Sequence, residues 1–538
     1  MVVESRGTCD VLVIGTGIAG ISAAIEAARC GASVVLTSSA AVFSGASFFP
    51  GTWGLGLIGP EGAADEADLA ESILRVGCGV AVPEIVKTFV HHINPAIDDL
   101  NARGVQLRTA EKSEEQEFIP CFDHKRRNWN GLEADSMRAV FTRELEAYGV
   151  KLCPYCEALE LIQTDGRVCG AVFAEKNRIF AIRSKAVILA TGGYGGLFQN
   201  CLTTTDVAGA GQALALRAGA CLINMEFMQM MPGFISPAPK TVFNEKTFRF
   251  ASFSDERGHD IFADLSDAAE LLRQRSTHGP FTSAGRDRAI DFAIAQAERS
   301  GGAYVRYADE MKRSPPEFIK TYFDWLREKK GVTPDDAVRV GIYAHAANGG
   351  IAIDSNASAG VAGLYACGEV TGGMHGADRI GGLSSANGLV FGKIAGKSAA
   401  MDADTRTIRD EKIMLTPYSA ADCRANCAML RTMMTANAML LRNEEGLNRA
   451  IRFCTETLEE IGQSPAYAAD VRSVIDSYRL SAHLVTALAV LQAALLRRES
   501  RGAHYRADHP DIDPSAGKRI CIIAQGGVVK AAYEEQNT

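Results

Sequence analysis

At 538 residues the chain is too long for one compact domain, so two or three lobes are expected. With 47% hydrophobic and 22% charged residues the composition excludes disorder, and 52 glycines suit a fold with many tight turns near ligands. A formal net charge of -8 gives no electrostatic reason to expect nucleic acid or an anionic membrane surface as a partner.

CDVLVIG at 9–15 is an apolar run ending in glycine, IAGISAAIEAARCG at 18–31 has helical spacing with a glycine stop, and ASVVLT at 32–37 reads as a second strand. Together they make a βαβ unit. Glycine-rich loops (SGASFFPGTWGLGLIGP) and helical segments through 148 follow, then a hairpin-like pair at 151–183 and the strand KAVILAT at 185–191. Residues 226–340 are richer in charge and aromatics and read as an insertion, after which strands return in GIAID at 350–354 and GLYACG at 363–368. From 405 to 500 the pattern is nearly all helical, and a polar tail ends in RICIIAQ.

The 14 cysteines are scattered through apolar segments, as expected of reduced thiols in a cytosolic protein. Cys153 and Cys156 form the single C-x-x-C, read as structural, with a redox or metal role as the minor alternative. The apolar stretch at 484–496 falls short of the roughly 20 residues of a membrane span. The N-terminus opens directly on a strand pattern. A cytoplasmic protein without membrane insertion is expected.

Gly15, Gly17 and Gly20 form G-x-G-x-x-G at the strand-to-helix turn, with Ile18 and Ala19 inside it. There the backbone can approach a pyrophosphate and the helix N-terminus supplies partial positive charge. The acid expected at the end of the second strand is missing; Thr37 and Ser38 stand there, leaving the ribose to hydroxyls or backbone.

The segments VLVIGTGIAG, AVILATGG at 186–193, HAANGGIAID at 345–354, GLYACGEVTGG at 363–373, HGADRIGGLSS at 375–385 and RGAHYRADHP at 501–510 are ordered along nearly the whole chain. In that order the sequence resembles the flavoproteins of succinate dehydrogenase, fumarate reductase and L-aspartate oxidase. The resemblance implies an α/β architecture: a Rossmann-like FAD-binding domain (1–225 and 341–404), an inserted α+β capping domain (226–340) and a C-terminal helical domain with its tail (405–538). It further implies flavin contacts at Ala190, Thr191, Gly192 and Gly193, at Gly368 and Glu369, at Ser384 and Ser385, and at Ser44, Gly45 and Ala46. Respiratory members attach FAD through a histidine in this last loop; SGASFF has none, so the flavin is expected to be non-covalent.

By the same resemblance, Arg286 of an R-D pair matches the proton donor, His345 the histidine before the G-G-I turn, and Arg379 the substrate-binding arginine, which also borders the flavin. Glu245 and Arg249 resemble the relay to the donor, one residue further apart than the family pattern. A guanidinium beside an imidazole can clamp a carboxylate or carbonyl and polarise the attached double bond. Deprotonating an arginine, of reference pKa about 12.5, to use it as a base near pH 7 costs roughly 7 kcal/mol, so donation to a carbanion and hence C=C reduction is favoured.

MEFMQMMPGF at 225–234 places Met231 and Gly233 where relatives carry a histidine and a threonine that grip a dicarboxylate. Losing a hydrogen bond to a charged group forfeits about 1.5–3 kcal/mol, so a substrate with one polar end and an apolar body is expected. Met228, Met230 and Met231, with Trp53 nearby, would suit that apolar or aromatic body, with ordinary core packing as the alternative for Met228 and Met230. An L-aspartate-oxidase-like acid or amino-acid oxidase, or an electron-transfer subunit docking an iron-sulfur partner, are the alternatives. No second nucleotide fingerprint or cluster motif is evident, so an external electron donor or acceptor is implied.

Overall fold

The computed structural model describes residues 1–408, 411–416, 422–463 and 470–535. Ser5–Ile14 (β1), Ile18–Arg29 (α1) and Val34–Thr37 (β2) form the expected βαβ unit, with β1 and β2 parallel. Val11, Leu12 and Val13 are fully buried, which is why this strand reads as a continuous apolar run rather than an alternating one. Arg178–Leu189 (β3) lies parallel to β1 on its other side, at the centre of a seven-stranded sheet. Its first half pairs with Arg167–Glu175 and its end with Leu364–Ala366, returning the late strand to the nucleotide-binding lobe.

Met228–Ser236 (β4) opens the inserted lobe, which continues through the helices Arg288–Glu298 (α2) and Glu317–Lys330 (α3) to Val338–Ala347 (β5). β4 and β5 pair antiparallel in a four-stranded sheet completed by Ala303–Tyr307 and Ala251–Ser254. The boundary expected at 340 therefore falls inside a strand. Pairing of Met230 with Ala344 and Met231 with Tyr343 carries β5 on to Ala347, so His345 stands near the end of a cap strand.

Leu383–Asp404 (α4) packs lengthwise on α1, and glycine makes the contact possible. A Cβ on Gly392 or Gly396 would come within 2.7 Å of the Ala19 carbonyl oxygen or 2.4 Å of the Ala23 carbonyl oxygen. The N-termini of both helices consequently open on the same space.

The apolar stretch at 484–496 is the second half of the 26-residue helix Val471–Leu496 (α5). By length and composition α5 could cross a membrane, which corrects the shorter reading, but 67% of its most apolar window is buried inside the fold. Beyond it, Ile520–Gln525 and Val528–Tyr533 form a hairpin that joins Leu222–Ile223 and Gly350–Ile351 in a second four-stranded sheet. The C-terminal lobe thus ends in strands fastened to the nucleotide lobe. The RGAHYRADHP segment and the residues just before it reinforce the join: Arg497 Nε donates to Glu226 Oε1 at 2.8 Å in a buried ion pair, and Arg501, ion-paired with Glu499, donates from Nη1 to the Cys78 carbonyl at 2.8 Å.

Candidate active site

A cavity of about 610 Å³ runs from the end of β2, beneath the cap, to the loop before α4. At its nucleotide end lie Gly15, Gly17, Ile18, Ala19, Ser38, Ser44, Gly45, Ala46, Ala190, Thr191, Gly192, Gly368, Glu369, Ser384 and Ser385. These residues, drawn from separate segments of the chain, are all ones the sequence singled out.

The glycines divide the work. Gly15 has φ +119°, and a Cβ there would sit 2.2 Å from the Ala190 carbonyl oxygen; one on Gly20 would sit 1.9 Å from the Gly15 carbonyl oxygen. Gly15 thus lets the ends of β1 and β3 meet, and Gly20 lets the helix meet the strand. A Cβ on Gly17 would meet only Ser47 Oγ, at 3.5 Å, so the bare backbone faces the cavity. The hydroxyls of Thr16 and Thr191 are buried with no partner among the described residues, and both threonines line the cavity. Because buried polar groups are nearly always hydrogen-bonded, this set fits a phosphate-bearing, polar-edged cofactor such as FAD.

Three residues singled out act indirectly. Thr37 is fully buried and its hydroxyl donates to the Val13 carbonyl at 3.3 Å, so it secures the sheet, and only Ser38 of that pair lines the cavity. This corrects the assignment of Thr37 to the ribose. Gly20 serves the helix–strand contact. Gly193 leaves room for Glu369, since a Cβ there would lie 2.5 Å from Glu369 Oε1, an atom that accepts from the Ala347 N–H at 2.9 Å. Burial holds the Glu369 carboxyl above its usual range.

The cap end is built differently. Arg379 is buried, and its Nε donates to Gln229 Oε1 at 2.9 Å, which aims the remainder of the guanidinium at the cavity. His345 lines the same wall with its Nδ1 unpartnered among the described residues; burial, and secondarily Arg379, pull its pKa down to about 3, so it is neutral near pH 7. Glu245 also lines the cavity and accepts from the Cys121 thiol at 2.8 Å. Burial, with Glu245 adding to it, pushes that thiol up to about 12. Arg249 is not Glu245's partner: it is ion-paired with Glu117.

Arg286 is a correction. Asp287 turns inward, with its Oδ2 2.5 Å from His278 Nε2, and the preceding side chain does not line the cavity. The Arg286 side chain is 72% exposed and 3.7 Å from Asp267 on the surface.

Around these polar groups stands an aromatic wall that the sequence announced only through Trp53. Trp53 and Phe318 meet edge-on with centroids 4.9 Å apart, and Phe118 contacts both Trp129 and Phe318, at 5.2 and 5.4 Å. All four line the cavity with Met231, which clusters with Leu202, Val242 and Tyr343. Met228 and Met230, expected with it against the substrate body, are instead core residues with no exposure. Arg431, Arg479 and His483 from the C-terminal lobe, also missed, border the cavity; their helical pattern carried no signal of a site.

Comparison with known proteins agrees with this geometry. Residues 10–385 match the FAD binding domain family and residues 428–535 the fumarate reductase flavoprotein C-terminal family. The chain is 27% identical to a fumarate reductase (CoM/CoB) chain of Methanothermobacter marburgensis, over 96% of this chain and 97% of that one. It is 30% identical to the L-aspartate oxidase of Caulobacter vibrioides, over 96% of each. The fold of E. coli quinol fumarate reductase FrdA superposes with a TM-score of 0.79 at 21% identity, covering 99% of this chain and 97% of that one. The chain belongs to the FAD-dependent oxidoreductases of the succinate dehydrogenase and fumarate reductase flavoprotein family, with FAD as its cofactor.

Proposed function

We propose that this enzyme reduces the activated C=C bond of an α,β-unsaturated acid or carbonyl compound whose other end is apolar or aromatic. The observation that carries the reading is one wall presenting Arg379 and neutral His345 beside the aromatic surface of Trp53, Phe118, Trp129 and Phe318. A guanidinium offers paired donors to a carboxylate, each charged hydrogen bond contributing about 1.5–3 kcal/mol. His345, uncharged, can hydrogen-bond a carbonyl oxygen without itself neutralising the carboxylate. Met231 offers no donor to a second carboxylate, so fumarate and succinate would leave one charge unpaired against an apolar surface.

In this reading the backbone at Gly15, Gly17, Ile18 and Ala19 holds the FAD pyrophosphate at the N-terminus of α1. Ser38 and Glu369 serve the ribose and ribityl hydroxyls, Ser384 and Ser385 the pyrimidine edge at the N-terminus of α4, and Ser44, Gly45, Ala46, Ala190, Thr191 and Gly192 complete the bed. FAD, when bound, supplies the hydride. The loop at 44–49 contains no histidine, so the cofactor is held without a covalent bond. Electrons come from an external donor. The burial of α5 supports a protein that does not insert in a membrane, as a cytoplasmic enzyme would be.

The test is anaerobic. The reduced protein is mixed with (E)-cinnamate, crotonate and fumarate, and flavin reoxidation is followed by absorbance. Cinnamate is expected to reoxidise the flavin fastest. Bleaching of the oxidised protein by L-aspartate instead would favour an oxidase, the reading that the likeness to L-aspartate oxidases supports. Activity only with a co-purifying partner would favour an electron-transfer role.

A further inference from the structure

The nucleotide end of the cavity has one wall built of long side chains from another lobe. In a dinucleotide-binding βαβ unit the pyrophosphate lies at the helix N-terminus and the adenosine ribose at the end of the second strand. Ser38 and Ser39 stand just past the end of β2, and beyond them the lining continues through Glu157 and Asp206 to Arg431 and His483 of the C-terminal lobe. This bay is therefore the adenosine side of the cavity. Contacts across the chain close it: Ser39 Oγ donates to Asp206 Oδ2 at 3.0 Å, and Arg479 of α5 donates from Nε to Glu157 at 2.9 Å and from Nη1 to Asp476 at 2.8 Å.

Arg479 is thus neutralised by two carboxylates, and Arg431 is not. Arg431 lies on the helix Cys423–Ala438 and donates from Nε to the Gly196 carbonyl at 3.0 Å and from Nη2 to the Thr205 carbonyl at 3.3 Å. Two neutral acceptors fix the plane of the guanidinium without cancelling its charge, and Nη1 has no acceptor among the described residues. His483 is on α5, one turn beyond Arg479, and is 7% exposed. Its ring has no hydrogen-bond partner among the described residues. Burial, and secondarily Arg431 and Arg479, hold its pKa at about 3, so near pH 7 one ring nitrogen donates and the other accepts. Buried polar groups are nearly always hydrogen-bonded, so two such groups facing one bay imply a polar ligand there.

We infer that Arg431 and His483 bind the adenine of FAD, which makes the C-terminal lobe part of the cofactor site as well as a support for it. Adenine presents ring-nitrogen acceptors beside an amino donor, a pattern that a guanidinium and a neutral imidazole together match. The flat guanidinium can also stack on a purine. This role is independent of the substrate that occupies the cap end.

The test titrates flavin-free protein with FAD and then displaces the FAD with ADP, both followed by flavin fluorescence. Arg431→Met and His483→Leu should each weaken FAD at least about tenfold, and ADP by the same factor within about threefold. His483→Gln keeps a donor and an acceptor and should hold FAD within about threefold of wild type. Calorimetry should place the melting temperatures of the flavin-free variants within about 2 °C of wild type. An FAD Kd within about threefold of wild type in Arg431→Met or His483→Leu would strike that residue from the site, and in both would overturn the assignment. Weakened FAD with unchanged ADP would overturn it too, since the effect would then lie outside the adenosine half. So would a lowered melting temperature with no recovery in His483→Gln, the result for side chains that only fasten the lobe.

Discussion

The two ends of the cavity are built by different means for the ligands proposed for them. At the nucleotide end recognition is built into backbone: glycines at fixed turns, helix N-termini and short hydroxyls, all in segments whose spacing the fold dictates. At the cap end it is built into side chains, where Met231, Trp129, Phe318 and Lys246 come from a strand, a strand, a helix and a 3-10 turn with no common motif. A backbone cradle tolerates little change, whereas a wall of side chains can be repainted to suit another substrate on the same frame. On the proposed function, the cofactor is thus fixed by geometry and the substrate by local chemistry.

That contrast can be broken most sharply at the ends themselves. Arg379→Ala should lower kcat/KM for the enoate by roughly 100-fold or more, the loss of one or two charged hydrogen bonds, while the protein stays yellow. Unchanged kinetics would remove the clamp. Within the cradle, Gly15→Ala should destabilise the apoprotein by roughly 2–5 kcal/mol, since both the left-handed backbone and the Ala190 carbonyl oppose the added carbon. Gly17→Ala should leave apoprotein stability untouched in calorimetry and weaken FAD binding instead; equal behaviour of the two variants would erase the distinction between them.

Acid probes the buried imidazoles. His345 and His483 are both pulled to about 3 by burial, so they stay neutral in the folded protein while the unfolded chain takes up protons below about pH 6.5. Stability from these two is complete above that value and lost as pH falls towards 3. At pH 5.5 each costs up to about 1.4 kcal/mol, and denaturant titration of His483→Gln should show a shallower acid loss. Met231→His should improve fumarate binding about tenfold without helping cinnamate, a shift in preference seen as a change in the ratio of their Kd values. The smallest effect belongs to the stability of Arg286→Ala: its exposed pair with Asp267 contributes about 0–1 kcal/mol, and the denaturant midpoint should stay close to that of wild type.

Much of the nucleotide end was legible because its signals are local. The βαβ unit, the glycine turn and the serines at the start of α4 each announce themselves within a few residues. Thr37 misled because a strand-end hydroxyl can face either the ligand or the sheet, and alternation in so short a strand does not decide between them. The cap end was legible where matched segments reached it, at His345, Arg379, Glu245 and Met231, and at Trp53 in a glycine-rich loop. Arg286 misled because an R-D pair specifies a helix start but not which member turns inward; here Asp287 does, toward His278. Lys246, which also lines the cavity, was missed because a lysine in a mixed segment reads as surface, and only the tertiary packing of Ile119 and Cys121 around it removes it from solvent. The aromatic wall is assembled from residues 53, 118, 129 and 318, a separation over which single-sequence patterns are silent.

The most direct test of the cap-end account is the ratio of dissociation constants for hydrocinnamate and succinate, read from perturbation of the oxidised flavin spectrum at one pH and salt concentration. Burying a phenyl ring against the aromatic wall, with one carboxylate on Arg379, predicts hydrocinnamate binding at least about tenfold tighter. Succinate binding the more tightly would contradict it.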